Sequence, residues 1–133
     1  MEEDHLEAAA AEEKFSFDLL LAVFQKLPDA IVILNEDRKI FRVNPQAELL
    51  FGYNEIELKN KPIEILVPDS LKERHTTHTQ TYVDSPSLRA MGSGIELKAK
   101  RKNGTEIPVE INLSPVSTVR GLYVIAVIRR KVK

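Results

Sequence analysis

Apolar residues recur at the helical period between Phe15 and Leu27. Phe17, Leu20, Leu21, Phe24 and Leu27 stand at i, i+3, i+4, i+7 and i+10, which makes one stripe. Leu19 and Val23 add a second apolar edge. The helix therefore has two faces to bury, one suited to its own domain and one to a partner chain. Ahead of it, residues 2–14 are rich in Ala and Glu and hold no turn residue that would stop a helix. Pro28 ends the run. Residues 1–26 thus read as an amphipathic helix for dimerisation and signalling, residues 27–130 as the domain proper, and residues 131–133 as a basic tail.

The pattern then changes to short β segments. Ile31–Leu34 is apolar throughout, as in a central strand covered on both faces, and Lys39–Val43 follows after the polar cluster Asn35-Glu36-Asp37-Arg38. Asn44-Pro45 opens a short helix as N-cap and first helical residue, and Gly52 closes it in the left-handed conformation. Asn54 and Glu57 have capping-box spacing for one more turn, and Lys61-Pro62 and Val67-Pro68 bracket a connector.

Ser70 and Glu73 have the same spacing at the head of a helix over 70–83, which Asp84-Ser85-Pro86 ends. Leu71, His75, His78 or Thr79, and Tyr82 share one of its faces, so a histidine stands where a core residue is expected. Residues 84–94 read as a loop. Beyond it Ile95, Leu97 and Ala99 alternate with Glu96, Lys98 and Lys100, and Ile107, Val109, Ile111 and Leu113 alternate with Glu106, Pro108, Glu110 and Asn112. Asn103-Gly104 between them signals a type I′ hairpin, with the outer lysines facing the outer acids. A turn at 117–121 leads into Leu122–Ile128, apolar on both faces. The sum is an α+β fold: a five-stranded antiparallel sheet with short helices on one face and an N-terminal amphipathic helix.

Composition narrows the chemistry. The 133 residues suit one domain that buries about two-thirds of its unfolded surface. With no cysteine there is no disulfide framework, thiolate zinc site, iron–sulfur cluster or catalytic thiol. A net charge of −1 argues against a nucleic-acid binder, and Lys98–Lys102 reads as a wet strand face. No apolar run approaches the ~20 residues that cross a bilayer, and the acidic start lacks the features of a signal peptide. A cytoplasmic location is expected. No G-x-S-x-G elbow, phosphate loop or H-E-x-x-H occurs, and Ser70 and His75 on one helix cannot meet as nucleophile and base. No catalysis is expected. His75-x-x-His78 lacks a third metal ligand, and His5 in the acidic leader is a solvated side chain.

Three motifs in this order resemble the PAS family. Leu27-Pro-Asp-Ala-Ile-Val-Ile-Leu34 resembles its opening strand. Asn44-Pro-Gln-Ala-Glu-Leu-Leu-Phe-Gly-Tyr53 resembles its N-x-A-x-x-x-x-G-Y helix, and Arg101-Lys-Asn-Gly-Thr-Glu-Ile-Pro-Val-Glu-Ile111 its R-K-D-G-x-x-x-P-V-E hairpin. The resemblance covers roughly residues 25 to 130, and the fold alone names no ligand.

Within that family, Arg74-His75 and the Met91-Gly-Ser-Gly94 loop resemble haem-binding oxygen sensors of the FixL type, ungapped from His75 through Gly104. The resemblance implies His75 as the proximal ligand to haem iron, with Ile95, Leu97, Ile111 and Leu113 as a sheet wall and Met91 beside the site. Ile95 falls where those sensors carry a distal arginine, and Thr81 where an arginine contacts a propionate. Arg89 falls at a propionate-contacting histidine and would substitute as a charge-assisted donor. The implied distal side is apolar, favouring CO or NO over a stabilised oxygen complex. Without haem, His75 is a core histidine bonded to backbone or to Tyr82, open to a pH-linked role.

The family usually ends in an R-D-I-T-like turn leading to an effector, whereas here the chain reads Val127-Ile-Arg-Arg130-Lys-Val-Lys133, an excised domain or a stand-alone module. The expected function is a sensory and dimerisation module beside a histidine kinase or related regulator. It would pair through the N-terminal helix and the sheet and would detect a small ligand, a redox signal or a gas. The alternative is a ligand-free interaction scaffold.

Overall fold

The computed structural model describes residues 2–69, 89–91 and 97–131, with side chains for 3–69 and 97–131. Helix α1 (Glu2–Lys26) is continuous through the Ala/Glu-rich leader and the amphipathic segment, as the absence of any breaker predicts. After Pro28 come β1 (Ala30–Asn35) and β2 (Ile40–Val43), then α2 (Pro45–Phe51), α3 (Glu55–Leu58) and a 3₁₀ turn (Ile63–Leu66). The second half supplies β3 (Arg89–Met91), β4 (Leu97–Lys100), β5 (Glu106–Thr118) and β6 (Gly121–Arg130). All pairings are antiparallel, in the order β2-β1-β6-β5, with β3 and β4 both on the far side of β5. The sheet thus has five strand positions, and the last is occupied by two pieces. β3 pairs with Leu113 to Ile111 and β4 with Val109 to Glu106, so along β5 only Glu110 lies between the two sets of pairs.

Register puts one apolar row after another on the inner face. Val32 lies between Ala126 and Val43, Ile128 between Ala30 and Ile111, and Ala126 between Val32 and Leu113. Ala47 and Phe51 of α2, Leu58 of α3, and Ile63 and Leu66 of the 3₁₀ turn close over these rows, with Phe51 and Leu58 wholly buried. The helices therefore lie on one face, as the alternation predicts. The outer face is apolar as well: Ile31, Ile33, Tyr123, Ile125 and Val127 follow the opposite parity. A bulge at Phe41, where the pairing steps from Ile33↔Arg42 to Leu34↔Ile40, accompanies an edge-on contact between its ring and Tyr123, with centroids 5.1 Å apart.

The structure corrects three readings. Arg89–Met91 is a strand rather than part of a loop, because its backbone pairs with Leu113, Asn112 and Ile111 despite having no alternation to announce it. The Asn103-Gly104 turn is not type I′, since only Gly104 has a positive φ (+87°) while Gly104 N–H donates to Arg101 O, a type I turn followed by a left-handed glycine. Lys100, opposite Glu106 in register, makes its ion pair with Asp69 at 3.0 Å. Beside β2, Asn60 (φ +66°) turns the chain so that Lys61 O accepts from Ile40 N and Arg38 O from Ile63 N, which covers that sheet edge.

Candidate functional site

The first functional feature is the joint between α1 and the domain. Asn44 is fully buried, and its side chain uses its whole hydrogen-bonding capacity. Oδ1 accepts from Ile31 N (2.8 Å) and, as the N-cap of α2, from Ala47 N (3.0 Å). Nδ2 donates to Asp29 O (2.9 Å) and to Phe24 O at the foot of α1 (3.3 Å). One amide thus ties α1, the entry to β1 and the start of α2 together. Arg129, at the end of β6, donates through Nη2 to Asp29 at 3.0 Å, so both ends of the domain meet at this joint. The sequence motif signals the cap of α2; it gives no signal for the two carbonyls on the other side of the amide.

From that joint α1 leaves the domain. Residues 3–20 are all exposed, and only Leu21, Ala22 and Phe24 are half-buried. Phe17 is 65% exposed and Leu20 68%, with Val23 and Leu27 also exposed. Of the predicted stripe, Leu21 and Phe24 are thus half-buried at the domain end of the helix, whereas Phe17, Leu20 and Leu27 are exposed in a single copy.

The second feature is the inner face of β4 and β5. Leu97, Ile111 and Leu113 are half-buried on the core and are brought together as one apolar wall by the pairings Leu97↔Val109, Ile111↔Ile128 and Leu113↔Ala126. The backbones of Arg89 and Met91 lie next to Leu113 and Ile111 in β3. The side chains of Arg89 and Met91, and all of His75, His78, Tyr82 and Ile95, lie outside the described residues. As a test of fit for haem, the described part supplies the apolar wall the group would need; the expected iron ligand falls outside it. Two open hollows flank Gly52, one beside Leu49 and Tyr53 and one beside Arg101 and Asn103, and neither contains an expected site residue.

A third group of contacts locks the helices to the hairpin. Arg101 Nε donates to Leu50 O (2.9 Å) and Lys102 N to Phe51 O (2.9 Å), which satisfies carbonyls that the end of α2 would otherwise leave open. Glu55 accepts from Val43 N and Arg42 Nε, and Glu57 accepts from Asn54 N and Lys102 Nζ. The Asn54 N–H, followed by the Lys102 ammonium, holds the Glu57 carboxyl below its ordinary value. Among the described residues, no cluster of His, Asp or Glu is arranged to hold a metal ion, and no helix is long and apolar enough to cross a membrane.

This architecture matches known proteins. A family model described as the PAS fold matches residues 18–131. The chain is 31% identical over 98 residues to the oxygen sensor protein DosP of Escherichia coli (strain K12), covering 74% of this chain and 12% of that protein. It is 25% identical over 99 residues to the sensor protein FixL of Bradyrhizobium diazoefficiens, covering 74% of this chain and 20% of that protein. The chain therefore spans a small fraction of these relatives. Among solved structures, the PAS domain of an HTR-like protein from Haloarcula marismortui superposes with a TM-score of 0.76 at 23% identity, covering 94% of this chain and 99% of that one. A PAS domain from a two-component sensor histidine kinase superposes with a TM-score of 0.74 at 12% identity, covering 90% and 99%.

Proposed function

Because this chain belongs to the PAS family, we propose that it is a sensory and dimerisation module of a signal-transduction protein, working beside a histidine kinase or related output and not itself catalytic. The observation that carries the reading is a division of labour in the fold. An apolar wall of Leu97, Ile111 and Leu113 adjoins the closed core, and the same sheet runs unbroken to the joint that holds α1. A ligand on that wall would act on β5, and its effect would pass through the full-length pairing of β5, β6 and β1 and reach Asn44. The ligand biases α1 only if it binds the two arrangements with different affinity.

The ligand we propose is haem, held by His75 as iron ligand with Arg89 at a propionate and Met91, Ile95, Leu97, Ile111 and Leu113 around it. Similarity to an oxygen sensor protein supports a gas signal. When bound, haem would supply the iron that takes up a diatomic gas; the protein side chains would exclude water and orient the group. Adding haemin to the purified chain is expected to give a Soret band that His75→Ala abolishes. Absence of the band in the wild type would rule haem out.

A second reading, a ligand-free scaffold, draws on the tight closure of Phe51, Leu58 and Ile63 over the sheet. In either reading, two copies pair through Phe17, Leu20, Leu21, Phe24 and Leu27, with the apolar outer sheet face beside them.

A further inference from the structure

We propose that Asn103 is a self-modification site, at which the backbone nitrogen of Gly104 displaces the side-chain amide, and that the β4–β5 turn gates this reaction through its grip on α2.

The chain has six asparagines, and Asn103 alone precedes a glycine. The others precede Glu36, Pro45, Glu55, Lys61 and Leu113, where a side chain crowds the attacking nitrogen or, at Pro45, no N–H exists. Asn103, Gly104 and Thr105 are all exposed, and nothing lies within 4 Å of where a Cβ on Gly104 would stand. Water and a base therefore reach the pair freely.

The amide is already set up as the electrophile. Thr105 N donates to Asn103 Oδ1 at 3.0 Å, and the Thr105 hydroxyl donates to the same oxygen. Two donors there would hold the negative charge that gathers on Oδ1 when Cγ is attacked. The leaving group, Nδ2, has no partner among the described residues. The reaction balances with water alone. Gly104 N gives its proton to a base and bonds to Cγ, while the Cγ–Nδ2 bond breaks and Nδ2 leaves with a proton as ammonia. Water then opens the five-membered imide. Opening at Cγ gives aspartate; opening at the backbone carbonyl gives isoaspartate, whose main chain runs through Cγ and is one atom longer.

The folded turn holds the nucleophile back. Gly104 N–H donates to Arg101 O at 2.9 Å, and Asn103 stands at the third position of the type I turn, where ψ is about 0°. Ring closure needs Gly104 N and Asn103 Cβ nearly eclipsed about the Cα–C bond, whereas that ψ sets them roughly 120° apart. The turn must therefore open before Asn103 can react. Arg101 Nε donates to Leu50 O and Lys102 N to Phe51 O, both at 2.9 Å, and Arg101 N donates to Thr105 O at 2.8 Å. A rotation at Asn103 is thus resisted on both sides, and the opening that frees Gly104 N loosens the hold on the end of α2. Isoaspartate, once formed, lengthens the turn beside these anchors, whereas aspartate keeps an acceptor for Thr105 N.

The test keeps the full chain in mildly alkaline buffer and follows each asparagine by digestion and mass spectrometry, with chromatography separating aspartyl from isoaspartyl peptides. In strong urea Asn103 should convert well ahead of the other five; equal rates at all six would overturn the site. Without urea the rate at Asn103 should fall at least about tenfold, and an undiminished rate would overturn the gate. Urea below the unfolding transition separates a local gate from global unfolding. The rate should stay nearly level there, since opening one turn exposes little surface; a rate that tracks the unfolded fraction would overturn the gate. Arg101→Ala, shown to be folded by circular dichroism, should speed the reaction without urea about tenfold, as loss of a hydrogen bond from a charged donor implies. An unchanged rate in that variant would contradict the link to α2.

Discussion

Asn44 shows how much one polar residue can organise. It is fully buried, yet every donor and acceptor of its side chain is used, on three different elements. Asn44→Ala would leave Ile31 N and Ala47 N without their acceptor and Asp29 O without its donor. Unfolding in urea should report a loss of about 2–4 kcal/mol, a lost cap plus buried groups left unpaired. Asn44→Asp keeps an acceptor for the two N–H groups but faces Asp29 O and Phe24 O with no N–H to give. It should fail to restore stability, and full recovery would show that the α1 side of the joint contributes nothing. At this scale the sequence was a partial guide. The cap of α2 is visible because its partner is three residues away; the bond to Phe24 O, twenty residues back, depends on where the folded chain returns.

Among the elements, the short helices α2 and α3, buried through Phe51 and Leu58, are tied down further by what the β4–β5 turn supplies. Arg101 and Lys102 reach α2 across about fifty residues of chain, and Lys102 also pairs with Glu57 of α3. The folded Glu57 has a lowered pKa, so its contribution is present above the unfolded pKa and disappears as pH falls through the folded one. The stability difference between wild type and Glu57→Gln should therefore hold steady from pH 8 to pH 6. It should shrink as the medium passes below about pH 4, near the ordinary glutamate value. Urea midpoints across that range measure it; a difference that grows in acid would contradict the assignment. Because both side chains are solvent-accessible, added salt should reduce the effect. Element types followed from periodicity, since helix and strand place apolar residues at different intervals. The bulge at Phe41, the left-handed glycine in place of a type I′ turn, and β3 did not. Each is a matter of backbone pairing between strands, to which a single segment's alternation is blind.

For the whole molecule, the uncovered parts of the fold point to its use. The inner face of the sheet is closed by helices, whereas the outer face and the α1 stripe present Phe17, Leu20, Val23, Phe41 and Val116 to solvent in a single copy. Periodicity marked the residues of the stripe but could not say what covers them, because a stripe looks the same whether it docks on its own domain or on another chain. The PAS fold was legible from three ordered motifs, two of which grip each other in the structure through Arg101 and Leu50. The ligand is less legible, since the shape of the wall depends on residues far apart in sequence. If helix α1 joins two copies, as proposed, the native mass shows it. Sedimentation of the 15.1 kDa chain at micromolar concentration should give twice that mass, falling to the single-chain value in Leu20→Glu with Phe24→Glu. A wild type that sediments as one chain, or a double variant that stays paired, would contradict the account.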